Sequence, residues 1–249
     1  MELSINELAQ KFWTRASLPV RTVVAWHNLD ARMPEVNRAW NKVRNELAEV
    51  GLLDEGVYLD QIDLVVALLS SLEEAGYVYE SMDWSSAFVG YEEGVIYLPS
   101  DLPKKAYVPG GTLTDVIRHE YGHAWHWLDA ELFNQEWFEK AFGANYEEEK
   151  PIPRWAWEER IGRSRKYNKK IESTKTEAGA ATVFRKFFLD EFVSDYAATN
   201  ACEDFAETFM TCLRCRNSLD RFRNRKGVFR KLKAVERIVK SKSKQLGLG

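Results

Sequence analysis

The densest group of chemically active side chains in this sequence is the run His119-Glu120-Tyr121-Gly122-His123, an HExxH pattern. On an α-helix, positions 119 and 123 lie about 40° apart around the axis and one turn apart along it. Both imidazoles can therefore reach one cation at the distance of about 2.0–2.1 Å that zinc takes from histidine nitrogen. Glu120 projects towards the same space, where its carboxylate can accept a proton as general base. The pattern predicts a hydrolytic zinc centre.

A catalytic zinc ion that keeps one position open for water needs a third protein ligand. Asp129 follows His119 by ten residues, the spacing of the third ligand in HExxHxxGxxH enzymes, but His126 stands where those enzymes have a helix-breaking glycine. On a continuous helix Asp129 would lie about 9 Å beyond His123 along the axis, so we discount it. We expect His126 to be packed or partly exposed.

A second source of ligands is the downstream run SDYAATNACEDFAETF, residues 194–209. Glu203 and Glu207 are four residues apart and share one face of a helix that is predicted to begin after Asn200. One carboxylate can bind zinc while the other accepts a hydrogen bond from the second nitrogen of a ligand histidine. The simpler alternative is an exposed acidic face, but the neighbouring residues are apolar. We favour a metal role for the pair.

HExxH followed by Tyr-x6-Glu-x3-Glu resembles the gluzincin peptidases of the anthrax lethal factor and Pro-Pro endopeptidase type. The phrase EDFAETF is similar to that of bacterial zinc-binding metallopeptidases. The resemblance implies that His119, His123 and Glu203 bind one Zn²⁺ ion. It also implies that Glu120 is the general base.

The same resemblance implies roles for two further residues. Tyr196 would donate a hydrogen bond to the developing oxyanion or protonate the leaving amine, and Glu207 would be the outer partner of a ligand histidine. The 72 residues between His123 and Tyr196 exceed the spacing in compact members of the group. The resemblance therefore implies no substrate preference.

Periodicity and turn residues predict a mostly helical α+β fold with a small mixed sheet beside the HExxH helix. The resemblance implies that residues 1–249 form one zincin-like domain. Its predicted parts are a helical part (1–76), the sheet and metal helix (77–130), an insertion (131–192), a third-ligand helix (193–217) and a basic C-terminal helix (218–249). In the first part, one helix is predicted to end at Gly51 and another to run from about Asp60 to Ala75.

Short aromatic and β-branched runs predict the strands of the sheet. They are Tyr77–Tyr79, Ala87–Val89 and Val95–Leu98, with a turn at 92–94 between the last two. We expect Val95–Leu98 to lie at an edge of the sheet, where an extended peptide could pair with it through main-chain hydrogen bonds.

Charge is distributed unevenly along the chain, although the net charge is only −3. From Arg214 onwards there are 13 Lys and Arg against two acidic residues, and the preceding residues carry a net charge of −14. This basic segment could contact nucleic acid, an anionic membrane or an acidic partner. We favour the interpretation that these cations form the solvated face of a packed helix, and we expect no nucleic-acid partner. The cations concerned are Arg221, Arg223, Arg225, Lys226, Arg230, Lys231, Lys233 and Arg237.

No run approaches the roughly 20 apolar residues of a membrane span, and the first residues do not form a secretory signal. The cytoplasm is therefore the default compartment, with leaderless secretion as the alternative. The predicted function is that of a zinc metallopeptidase, an endopeptidase in the first instance, which acts on a peptide or protein substrate. The alternatives are a zinc-stabilised binding or regulatory module that uses the basic helix as its surface, and a zinc hydrolase of non-peptide amides.

Overall fold

A computed structural model of the chain contains two compact units, Met1–Leu128 with Lys240–Gly249, and Asp129–Val239. The residues that the structure describes are 24–25, 33–67, 88–90, 95–99, 111–143, 146, 169–170, 172–174, 183, 186–198 and 200–249. They are mostly helical with a small sheet, which confirms this part of the predicted fold class. The zincin-like arrangement remains a prediction.

The described residues of the first unit include six short strands: β1 (Val24–Ala25), β2 (Leu53–Asp54), β3 (Val57–Tyr58), β4 (Asp63–Ala67), β5 (Phe88–Gly90) and β6 (Val95–Pro99). β2 and β3 form an antiparallel pair, and the other four form a sheet in the order β1-β4-β6-β5. β4 is parallel to β1 and β6, whereas β5 and β6 are antiparallel. The sheet is therefore mixed, as predicted.

Two of the three predicted strands correspond to β5 and β6, and the third, at 77–79, lies outside the described residues together with the turn at 92–94. The predicted position of β6 at a sheet edge is wrong. Val95 pairs with Asp63 on one side and with Gly90 on the other. With both neighbours in place, β6 has no free edge for a peptide, and its residues from Val95 to Leu98 are all buried.

The helix predicted from Asp60 to Ala75 is wrong over Asp63–Ala67, which forms strand β4. Short apolar runs do not distinguish a buried strand from a helix by periodicity alone. The alternation of burial decides here, because Ile62, Leu64 and Val66 are buried while Asp63 is only half-buried. β4 also lies between two parallel partners, and this environment favours Val and Leu.

Two long helices of the first unit pack against each other, α1 (Met33–Glu49) and α2 (Leu113–Leu128), and α2 also packs beside β5 and β6. α1 ends just before Gly51, as predicted, and Gly51 has a φ of 72°, which glycine adopts at little cost. Thr112 caps α2: its Oγ1 accepts from Asp115 N at 3.2 Å, and Asp115 Oδ2 accepts from Thr112 N at 3.2 Å. This reciprocal cap is the reason that α2 begins there.

The second unit is helical in its described residues. Its elements include α3 (Ala130–Phe133), α4 (Glu136–Phe142), α5 (Ala201–Arg214) and the start of α6 (Lys226–Leu246). Residues 186–191 are also helical, and Tyr196–Ala198 form a 3-10 turn. Asn200 caps α5, as predicted, since its Oδ1 accepts from Glu203 N at 2.8 Å.

An aromatic cluster holds α5 in the second unit. Phe205 is completely buried, and its ring centroid lies 4.8 Å from that of Phe133 and 5.7 Å from that of Phe142. Phe138 and Tyr146 complete the cluster. Edge-to-face aromatic contacts of this kind add to the free energy of burial, so the helix that carries Glu203 has a rigid anchor.

The apolar face of α6 is buried through Val228, Leu232 and Val235, which is consistent with a packed amphipathic helix. One predicted feature of this helix is wrong: Lys231 is not on a solvated face but has an exposure of 0%. Asp204 accepts a hydrogen bond from its ammonium group, and this acidic partner permits the burial of the charge. No helix among the described residues is long and apolar enough to cross a membrane.

Candidate metal centre

The HExxH residues lie in the middle of α2, and all three candidate functional side chains are buried. The exposed fractions are 5% for His119, 3% for Glu120 and 8% for His123. The two imidazoles face each other, with their Nε2 atoms 3.1 Å apart and their ring planes inclined at 72°. The predicted one-turn spacing thus directs two nitrogen donors to one point.

The separation of these nitrogens fits a shared cation. Two ligands at about 2.05 Å from a tetrahedral ion lie about 3.3 Å apart. The same short contact is a hydrogen bond between the two rings, and which ring donates depends on their tautomers. The separation of the two nitrogens is therefore compatible with a shared cation.

A buried ionic cluster fixes α2 beside His119. Arg118 donates two hydrogen bonds of 2.7 Å to Glu46 on α1 and one of 2.6 Å to Asp115. Burial opposes the charged form of Arg118, but the hydrogen bonds and charges of Glu46, and then Asp115, outweigh it and raise the guanidinium pKa. The bidentate geometry sets the rotation of α2 relative to α1 and therefore the direction of its histidines.

The C-terminal half of α2 is held in a similar way. Trp125 Nε1 donates to the hydroxyl of Tyr58, and the ring of Tyr121 stacks on Trp40 of α1 at a centroid distance of 5.2 Å. Tyr58 has a φ of 54°, a conformation that non-glycine residues adopt only when their surroundings require it. These contacts give α2 partners on both α1 and the β2–β3 pair.

His126 was expected to be packed or partly exposed, and it is buried. Its environment disfavours a charged ring. Burial, and then the electrostatic interaction with His123, lower the pKa of His126 to about 4. Its ring is therefore neutral near pH 7. The discounted candidate Asp129 directly follows the end of α2 and has a φ of −144°, so the helix does not continue through it.

The downstream carboxylates lie on α5. Glu203 is half-buried and stands in the first turn, where the helix dipole favours a negative charge. Glu207, one turn later, has an exposure of 0%, and its Oε2 accepts a 2.6 Å hydrogen bond from the Ser194 hydroxyl. No role was predicted for Ser194. Serine is a common turn residue because its hydroxyl can bind a main-chain nitrogen a few residues later, and this residue type was the available signal. In the structure, Ala197 N donates to the Ser194 hydroxyl oxygen at 3.0 Å.

One ligand atom from each of His119, His123 and Glu203 lies within 4.8 Å of the other two, and this group could hold a metal ion. Two imidazoles and one carboxylate are a donor set that catalytic zinc sites use, with a fourth position left for water. The donor chemistry therefore fits the ion that the sequence predicts. Among the described residues, Asp129 is not part of such a group.

Tyr196 is on the 3-10 turn that precedes α5, and 39% of its surface is exposed. This exposure leaves the side chain accessible to a second molecule. The role that the resemblance implies for Tyr196 stays a prediction.

No family model, curated protein or solved structure matches this chain.

Proposed function

We propose that this chain is a zinc-dependent peptidase. The observation that carries the proposal is the approach of His119, His123 and Glu203 to within 4.8 Å, with Glu120 next to the first histidine on the same buried helix. A structural zinc site has four protein ligands, whereas the group found among the described residues has three and leaves a position for reacting molecules. This difference favours a catalytic role over a purely structural one.

His119, His123 and Glu203 would hold the ion. When bound, zinc supplies a Lewis acid that polarises a peptide carbonyl and allows water to act as a nucleophile near neutral pH. The burial of the histidine pair favours this chemistry, because electrostatic interactions are stronger where water is excluded.

Glu120 would act as general base. Its carboxylate removes the proton from the attacking water and then delivers it to the amide nitrogen, so that the C–N bond breaks to release an amine. The same group thereby serves both halves of the hydrolysis, and no other proton carrier is required.

Tyr196 would donate a hydrogen bond to the oxyanion that forms at the attacked carbonyl. A hydroxyl provides this donor without introducing a full charge, and one such donor changes rates by about 10²–10³-fold. The exposed side chain supports this role, since the group must meet a substrate that arrives from solvent. Glu207 would orient a ligand histidine, and its complete burial suits a residue with a fixed partner.

The first test compares wild-type protein with Glu120→Gln, which preserves shape and removes the base. We expect one zinc per chain in both proteins by elemental analysis, and a loss of at least about 10²-fold in peptide cleavage for the variant. Glu131→Gln, an exposed glutamate just beyond the same helix, is the matched control and should retain activity. Equal cleavage by wild type and Glu120→Gln would contradict the assignment of Glu120 as general base.

The second test addresses the third ligand. We expect Glu203→Ala to lower zinc affinity by more than the roughly 10–100-fold that is typical of losing an outer partner. A peptide library analysed by mass spectrometry identifies the bond that is cut. If the protein hydrolyses a non-peptide amide and no peptide, the alternative of a non-peptide amide hydrolase is favoured. Full zinc retention by Glu203→Ala would exclude Glu203 as a ligand.

A further inference from the structure

Lys231 is a buried cation on α6, the helix that carries most of the basic C-terminal segment. Its side chain has an exposure of 0%, and its ammonium donates to Asp204 Oδ2 at 2.7 Å and to the main-chain oxygen of Glu191 at 2.8 Å. It also lies 3.1 Å from Glu191 Oε1 and 4.4 Å from the centroid of the Phe192 ring. An ammonium group has three donors, and these three oxygens can use all of them.

The first partner, Asp204, directly follows the proposed ligand Glu203 in the first turn of α5. Only 1% of Asp204 is exposed, and the main-chain nitrogen of Glu203 is bonded to the capping Asn200. The turn is therefore held twice, by its own cap and by Lys231. A shift of Asp204 would move Glu203 with it, because helical backbone is stiff over one turn.

The second partner, Glu191, ends the helical stretch 186–191, five residues before Tyr196. Its carbonyl is one of the C-terminal groups that a helix leaves without an internal partner, and a lysine can satisfy it. Arg225 strengthens the same end, since its Nη2 donates to the Phe192 carbonyl at 2.6 Å. The segment that leads to Tyr196 is thus anchored where it leaves the helix.

A buried lysine–aspartate pair is weak evidence for stability, because removing two charges from water offsets most of their attraction. The geometry points to another role. We propose that Lys231 is a positioning residue that sets the place of Glu203, and through Glu191 that of Tyr196, in the zinc centre. This inference rests on the proposed function, and it assigns the basic C-terminal helix a part in the site.

The test uses full-length Lys231→Met, which retains the aliphatic stem, and Asp204→Asn, which retains the shape of the carboxylate. The matched control is Lys233→Met, which removes a cation from the same helix at a surface pair with Glu236. Zinc affinity is measured by competition with a chromophoric chelator. Absorption of the cobalt-substituted proteins reports the geometry of the ligands, and circular dichroism reports the fold.

We expect Lys231→Met and Asp204→Asn each to weaken zinc binding about 10-fold or more, with an altered cobalt spectrum and an unchanged fold. Lys233→Met should remain within about twofold of wild type, since exposed ion pairs contribute little. A purely structural role for Lys231 would lower thermal stability but would leave the spectrum of the folded protein unchanged.

The double variant Lys231→Met/Asp204→Asn keeps the test decisive if Lys231→Met fails to fold, because removal of both charges avoids a buried unpaired ion. It should fold and still bind zinc more weakly. If wild type binds zinc and every folded variant at these two positions binds it within about twofold, the positioning role is overturned and the proposed function stands. If wild type binds no zinc, both are overturned.

Discussion

The hydroxyl of Ser194 donates a 2.6 Å hydrogen bond to Oε2 of Glu207, a carboxylate that is completely buried on α5. The same hydroxyl oxygen accepts from the main-chain nitrogen of Ala197 at 3.0 Å. Ser194 therefore joins α5 to the turn that carries Tyr196. Removing the hydroxyl would take this donor from the buried carboxylate of Glu207, and such a loss costs free energy.

We predict that Ser194→Ala weakens zinc binding by about 10-fold through the orientation of Glu207. It should also lower the free energy of unfolding by roughly 1–2 kcal/mol. Chelator competition and urea titration measure the two effects. Ser218→Ala, at an exposed serine with only a 3.4 Å contact to the Cys215 carbonyl, is the control. An unaffected zinc affinity in Ser194→Ala would show that Glu207 acts independently of this bond.

For Tyr196→Phe we expect kcat to fall by about 10²-fold, because the ring remains and the donor to the oxyanion is lost. Zinc content and KM should change little, since the hydroxyl acts mainly in the transition state. Tyr146→Phe, in the aromatic cluster of the second unit, controls for the loss of a tyrosine hydroxyl elsewhere. Wild-type kcat in Tyr196→Phe would contradict the assigned role.

Arg118→Met should destabilise the protein by about 3–5 kcal/mol, because it leaves the buried carboxylates of Glu46 and Asp115 without their cation. Urea unfolding in the presence of a chelator measures this separately from zinc binding. The control is Lys140→Met, at an exposed pair with Glu136 one helical turn away, which we expect to cost no more than about 0.5 kcal/mol. Similar losses in both variants would show that the Arg118 cluster contributes only as a surface pair does.

The low pKa of His126 predicts that the folding stability of the protein, measured without bound metal, depends on pH. Its folded pKa of about 4 lies below the value of about 6.5 in an unfolded chain, so folding favours the neutral ring. The resulting stability is present above pH 6.5 and is lost as the pH falls towards 4. After a discount for partial access of solvent, we expect about 1 kcal/mol to be lost between pH 7 and 5.5.

The measurement for His126 is the urea midpoint of wild type and of His126→Leu across that range, with chelator present. The variant should lose less stability than wild type as the solution is acidified, because it has no proton to gain at this position. Parallel curves for the two proteins would mean that His126 does not titrate on unfolding.

Local signals predicted the helices of the candidate site well. The Asn200 cap and the Gly51 stop depend on residues at or next to the helix end, and the structure places both as predicted. The relation between His119 and His123 is also local, because helical geometry alone brings their nitrogens to the same face.

The errors concern features that depend on distant partners. Asp63–Ala67 is a strand because β1 and β6 lie beside it, and β6 is internal because β4 and β5 both pair with it. The order of strands along the chain does not give their order in the sheet. Lys231 resembles its solvated neighbours in sequence, and only Asp204 and Glu191, 27 and 40 residues away, explain its burial.

The sequence by itself determined the chemistry that is available: two imidazoles and a carboxylate within five residues of one helix, and two further carboxylates one turn apart on another. Tertiary structure decided which groups meet and what holds them, from the 4.8 Å grouping of His119, His123 and Glu203 to the hydrogen bonds of Ser194 and Lys231. The physical reason is the distance along the chain over which each interaction acts. Helical spacing and capping act over one turn, whereas ligand convergence and charge burial depend on the packing of segments that are far apart in the chain.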